Sequence, residues 1–308
     1  MTTKCTKIPA GIHLETNDKR QVKFFCTVLF FWWISATCFS QTTENTGQDI
    51  DFAFYLFEGR KYDELFLLFN KTSSIIQQND SVNYILGMSY YYQKDLEKSA
   101  YHLNKISNLS AFYDKSIFFS ALDYAHLGEY SKAQMILEKY TTTKLQNNYN
   151  ELLSVQFAGL ALLKRDFELF DHHAANFKFE QYYYINSENQ LINVRHTLGN
   201  FKQKSPFVAG LLSTVVPGAG KIYTGQIGEG VASFLTVGGL AAITAENWVK
   251  KGLSNWRTIT FGTICSIFYI GNIYGSAISV KVYRNQFHDK QNNTILLGIH
   301  LPVRALFE

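Results

Sequence analysis

The side chains best placed to do chemistry gather around one short string, Pro217-Gly218-Ala219-Gly220-Lys221, with Tyr223 and Gly225 just after it. A glycine pair ahead of a lysine suggests a phosphate loop, because bare backbone N–H groups and an ammonium together hold an anion. That pattern also needs a glycine five residues before the Gly-Lys pair and a Ser or Thr after it. Val215 and Ile222 occupy those positions, and the string leads into an apolar stretch instead of leaving a strand. No nucleotide is expected. His172-His173 lacks a glutamate at metalloprotease spacing, so no metal is expected there either. There is no Gly-x-Ser-x-Gly elbow. An enzyme would have to be built on Tyr223, Glu229 or Asn272, and these supply no nucleophile–base pair or ligand set. The sequence predicts a protein that is not an enzyme and takes no cofactor.

What must position this string is apolar. Residues 258–280 carry no charge over 23 positions, and a helix needs roughly 20 apolar residues to cross a bilayer. A second run, 230–245, lies between Glu229 and Glu246, which read as helix ends. A third, 206–216, stops at Pro217 and is too short to span, which predicts a re-entrant or interfacial helix. Proline removes a donor and glycine permits positive φ, so 217–220 breaks the backbone and must be covered by protein. Gly271 and Gly275 form a Gly-x-x-x-Gly match, expected to bring helix backbones together. Asn272 between them needs a hydrogen-bond partner, expected near the turn at 218–223. With two full spans, Lys250, Lys251 and Arg257 lie in a cytoplasmic loop, as the positive-inside rule prefers.

The string PGAGKIYTGQIGEG, followed by apolar helices ending in GNIYGSAISVKVYRNQ, resembles a small two-helix transmembrane domain of uncharacterised bacterial envelope proteins. Its Gly-x-Gly-x-x-Tyr-x-Gly loop matches here at Gly218, Gly220, Tyr223 and Gly225 behind Pro217, with Asn272, Tyr274 and Gly275 on the second helix. The resemblance covers 205–285 and implies a membrane fold, but no reaction. Ahead of it, residues 1–40 read as a secretory leader, with Lys19, Arg20 and Lys23 before an apolar stretch and small residues near Ser40. Cys5, Cys26 and Cys38 fall in that leader and Cys265 in the apolar run, which excludes a disulfide framework between them. The remaining 286–308 form a tail, open to packing back on the module or pairing as a strand.

Between leader and module, residues 48–200 repeat. Four segments align on the bulky residue after a polar turn, Tyr62, Leu96, Tyr130 and Phe167, which lie 34, 34 and 37 residues apart. Small residues recur in each first helix, at Ala53, Gly87, Ala121 and Ala158. This period resembles the tetratricopeptide family, although the family's first-helix tryptophan and terminal proline are absent. Simple helical hairpins are the alternative. The family's concave face, carried over, falls on Phe54, Tyr84, Tyr91, Tyr92, Phe118 and His126, with Lys115 as its cation. The net charge of +4 and the lack of a basic run argue against nucleic acid. The expectation is an all-α chain, a tetratricopeptide-like solenoid followed by a transmembrane hairpin, in a bacterial inner membrane with the repeats in the periplasm. It would serve as an adaptor or scaffold for a protein or peptide partner. The alternative is a membrane-protein assembly or transport component acting on lipid or helices through the glycine-loop module.

Overall fold

The computed structural model describes residues 45–70, 78–143 and 149–308; the leader lies outside the described residues. Among them the chain is all-helical, with no strand. Four helical pairs come first: α1 (Asn45–Glu58) with α2 (Tyr62–Asn70), α3 (Asp80–Tyr92) with α4 (Leu96–Leu103), α5 (Tyr113–His126) with α6 (Tyr130–Thr143), and α7 (Asn150–Lys164) with α8 (Phe167–Ala174). A single helix, α9 (Tyr182–Gly199), follows.

Each second helix begins on one of the four aligned residues. The turns repeat in detail too. Two residues before each second helix the backbone is left-handed, at Arg60, Lys94, Gly128 and Arg165, with φ of 55°, 63°, 79° and 63°. The next N–H reaches back to the carbonyl five residues earlier (Lys61 to Leu56, Asp95 to Tyr90, Glu129 to Tyr124, Asp166 to Ala161). This is the Schellman closure of a helix C-terminus. Only one of the four sites is glycine, so three side chains accept a conformation that costs about 1–2 kcal/mol each. Asp95 and Asp166 then cap the following helix by accepting from the N–H of Lys98 and Leu169.

The small residues do what close helix packing demands. Ala53, Ala121 and Ala158 are buried, and a methyl on Gly87 would lie 2.6 Å from the Leu103 side chain. In the second helices Ser99 and Ala133 share their buried slot with the larger Leu65 and Phe170.

The membrane-type module comprises α10 (Pro206–Val215), α11 (Ala219–Tyr223), α12 (Ile227–Lys251) and α13 (Trp256–Phe307). α12 and α13 are both long and apolar enough to cross a membrane. The tail joins neither a strand nor a separate hairpin. It continues the second apolar run without a break, making α13 one helix of 52 residues, about 78 Å long. Its first half packs on α10 and α12; its second half lies on α5, α7 and α9.

Candidate functional site

The aromatic face predicted to receive a partner is occupied by the chain itself. Gln291, Ile295, Gly298, Ile299, Pro302 and Val303 recur at helical spacing on α13 and are all buried. Ile299 drops into a slot made by Gly159 on α7, where an added methyl would sit 2.1 Å from its Cγ2. Pro302 has no N–H to offer the Gly298 carbonyl. Beside that gap the Ile299 carbonyl accepts a hydrogen bond from Gln156 Nε2 at 2.6 Å. Gln190 Nε2 donates to the Thr294 carbonyl at 3.0 Å, and Arg165 donates to Asn292 Oδ1 at 2.7 Å.

The six predicted groove residues divide accordingly. Phe118 is 0% exposed and Tyr84 is 7% exposed, so both are core residues and neither can present a face to a ligand. Phe118 packs on Phe307, with ring centroids 5.6 Å apart, and Tyr84 stacks on Phe112 at 4.2 Å with Lys115 above it. Phe54 leans on Phe112 as well. The other three meet the end of α13 or Glu308 just after it: the Tyr91 hydroxyl bonds His300 Nε2, the His126 and His300 rings are 5.3 Å apart, and Tyr92 donates to Glu308 at 2.9 Å.

Burial sets the charge of this seam. It raises the Tyr91 phenol and lowers His300 to about 4, with His126 nearby adding to the second effect. His300 is then neutral at pH 7, and its Nε2 and the neutral Tyr91 phenol share one hydrogen bond. Behind them Asp123 is fully buried beside the Ser99 hydroxyl, and burial pushes its carboxyl up to about 8. This is a packed seam, neutral at His300 and Asp123 and edged by the Arg304–Glu308 ion pair.

The second site is the glycine loop. Gly218 has φ +85°, and a methyl there would lie 2.0 Å from the Gly230 carbonyl oxygen. A methyl on Gly220 would lie 2.0 Å from the Ala209 carbonyl oxygen. These two glycines bring α11 against α12 and α10, backbone to backbone. Ser213 ties the contact, accepting from Gly220 N–H at 2.9 Å and bonding Ser276 at 2.7 Å. Thr224 bonds Ser279 at 3.0 Å, so small hydroxyl residues line α13 where it meets the loop. Pro217 is half-buried ahead of this turn. Lys204 donates to the Tyr223 carbonyl at 2.7 Å and sits over the Tyr223 and Tyr283 rings. Gly225 has φ +88° and open space around it.

The close helix approach was expected elsewhere, at the Gly-x-x-x-Gly match, and there the structure differs. A methyl on Gly271 would meet nothing within 4 Å, and one on Gly275 only the Lys221 stem at 3.9 Å. Tyr274 on the same face is exposed. Nothing packs into the gap, because the short α11 with its lysine intervenes. Asn272 was expected to bond within the 218–223 turn. It does not: it is 6% exposed, and neither amide atom has a partner. The residue of that turn that does reach over is Lys221, whose side chain lines a cleft of about 520 Å³ between α12 and α13, with Glu229, Ser233 and Asn272. In the sequence Lys221 carries no signal beyond the incomplete phosphate-loop pattern.

No family model, curated protein or solved structure matches this chain. Among the described residues, no group of three or more His, Cys, Asp or Glu side chains is placed to hold a metal ion.

Proposed function

We propose that this chain is a membrane-anchored helical-repeat scaffold of the bacterial cell envelope. Its tetratricopeptide-like repeats stand on the periplasmic side of the inner membrane and its partner is a protein or peptide. The observation that carries this is where the apolar surface lies. Only 11% and 22% of the most apolar windows of α12 and α13 are buried within the chain. A core helix of a soluble protein has that surface covered, whereas Leu235, Ile267, Phe268 and Ile270 stand open here. Lipid is the solvent that suits them. From Ile227 to Trp248, α12 covers about 33 Å, close to a hydrocarbon core of about 30 Å. Trp248 and Trp256 are exposed beside the basic loop, and Tyr223 and Tyr283 flank Lys204 at the opposite end, as two interfaces require. α10 is about 15 Å long and cannot cross, which supports two full spans.

The continuity of α13 gives the scaffold reading its mechanism. One unbroken helix leaves the membrane and docks in the repeats, so the array is held at a set height and orientation above the bilayer. The repeat face accepts an amphipathic helix with apolar anchors, and α13 is that helix in cis. An external helix of the same kind competes for it, reaching the groove past Tyr92 on its exposed rim. The second reading, an assembly or transport component working through the module, draws on the polar cleft between the two spans.

Topology labelling tests the proposal. In spheroplasts carrying an otherwise cysteine-free full chain, an impermeant maleimide is expected to label Tyr101→Cys and to spare Ser254→Cys until the membrane is opened. Labelling at 254 from outside overturns the two-span arrangement, and release of the protein by alkaline carbonate overturns membrane anchorage. A photo-crosslinker replacing Tyr92 should capture a protein in the native membrane; capture of lipid alone overturns the adaptor role.

A further inference from the structure

The cleft between α12 and α13 combines charge, an unanswered amide and an apolar wall. Lys221 Nζ donates to Ser233 Oγ at 3.0 Å and lies 3.8 Å from Glu229. An ammonium has three donors, so this one keeps a donor for a ligand. The Asn272 amide, nearly fully buried, has both its nitrogen and its oxygen unpartnered. An amide in that state is costly unless something brings it a donor and an acceptor together. The space beside Gly271 that no side chain fills lies next to it. Ala232 and Thr236 also line the cleft, and its deeper wall, Val237, Ile267 and Phe268, is apolar. Along α12 it begins about 12 Å from Glu229, two turns further from the glycine loop.

We propose that this cleft holds the headgroup and upper acyl chain of one phospholipid that carries both a phosphate and a primary amine. The inference rests on the membrane reading above. The site itself is neutral, Lys221 against Glu229, so a singly anionic headgroup would leave the carboxylate unanswered. A zwitterion answers both: its phosphate faces Lys221, its ammonium faces Glu229, and its ester and amine groups satisfy the Asn272 amide. The acyl chain runs down the Val237–Phe268 wall into the bilayer. A polar end at the loop and an apolar end at depth is the order a bilayer lipid presents.

The test uses the full chain in phosphatidylcholine nanodiscs doped in turn with phosphatidylethanolamine or phosphatidylglycerol, then re-extracted for native mass spectrometry. The expected result is one phosphatidylethanolamine retained per chain in preference to the other two lipids. Asn272→Leu should lower that retention about tenfold or more, with helicity unchanged and melting unchanged or raised, since leucine removes an unpaired amide. Glu229 is largely exposed, so Glu229→Gln keeps the fold; it should move the preference toward phosphatidylglycerol. Phosphoethanolamine without acyl chains should bind about tenfold more weakly or worse. The proposal is overturned if Asn272→Leu retains the lipid as well as the parent, if Glu229→Gln leaves the preference unmoved, or if no lipid is retained. Equal affinity for free phosphoethanolamine overturns the lipid assignment in favour of a soluble zwitterion. Carbonate extraction, scored separately, reports whether the membrane reading itself has failed.

Discussion

Gly220 and Gly225 lie in one loop, yet the structure gives them different reasons to be glycine, and alanine separates the two. At Gly220 the new methyl would stand 2.0 Å from the Ala209 carbonyl oxygen and 2.7 Å from both its carbon and Ser213 Oγ. An ordinary C···O contact is about 3.3 Å, so α10 has to retreat by roughly 1.3 Å. Backbone cannot swing aside as a side-chain tip does. The retreat also pulls Ser213 away from Gly220 N–H and Ser276. Overpacking costs about 1–3 kcal/mol, and two buried hydrogen bonds add about 1 kcal/mol each, giving about 3–5 kcal/mol. At Gly225 the methyl meets nothing within 4 Å, and only the φ of +88° resists it. That costs about 1–2 kcal/mol. The assay is equilibrium unfolding of the detergent-solubilised full chain, followed by helical circular dichroism. Gly220→Ala should lose about 2–3 kcal/mol more than Gly225→Ala. Equal losses, or the reverse order, refute the argument that backbone contact is what Gly220 serves.

Two further predictions concern the docked helix. Ile299→Ala empties the slot at Gly159 and should cost about 2–5 kcal/mol, read as faster amide hydrogen exchange in α7 and in residues 291–303 while α12 is unchanged; unaltered exchange would mean that α13 is not held by this contact. The pH dependence should carry the mark of Asp123, whose carboxyl is raised to about 8 from the ordinary 3.8 by burial. A raised folded value means stability is fully present below pH 3.8 and is lost as pH rises toward 8. His300, lowered to about 4 by burial, acts in the opposite sense: its contribution is present above 6.5 and is lost as pH falls toward 4. The two oppose each other between pH 4 and 6.5. From 6.5 to 8 Asp123 acts against no such counterweight, so the parent should lose about 1 kcal/mol per pH unit and Asp123→Asn should be flat. A parent whose denaturation midpoint holds steady from pH 6.5 to 8 would show that Asp123 ionises freely.

Local pattern alone determined a good deal of this protein. The length and lack of charge of 258–280 mark a helix able to cross a bilayer, because span length depends on composition and rise per residue. The positions Tyr62, Leu96, Tyr130 and Phe167 mark the starts of four helices, because a two-residue reversal followed by an amphipathic stretch is written within a few residues of itself. The break at Pro217-Gly218 is of the same kind. Tertiary structure decided whatever depends on which surfaces meet. Tyr84 and Phe118 carry the same aromatic signature as Tyr91 and Tyr92, and only packing buries the first pair in the core and leaves the second with hydroxyls bonded to His300 and Glu308. Gly271 and Gly275 have the spacing of a helix-contact motif, but contact needs a partner at that height, and the partner went to Gly218 and Gly220. The tail shows the difference most directly. Ile295, Ile299 and Val303 are a legible helical stripe, but their burial depends on Gly159 and Gln156, about 140 residues earlier in the chain. Residue pattern sets which face of a helix seeks cover; only the folded chain supplies the groove that covers it.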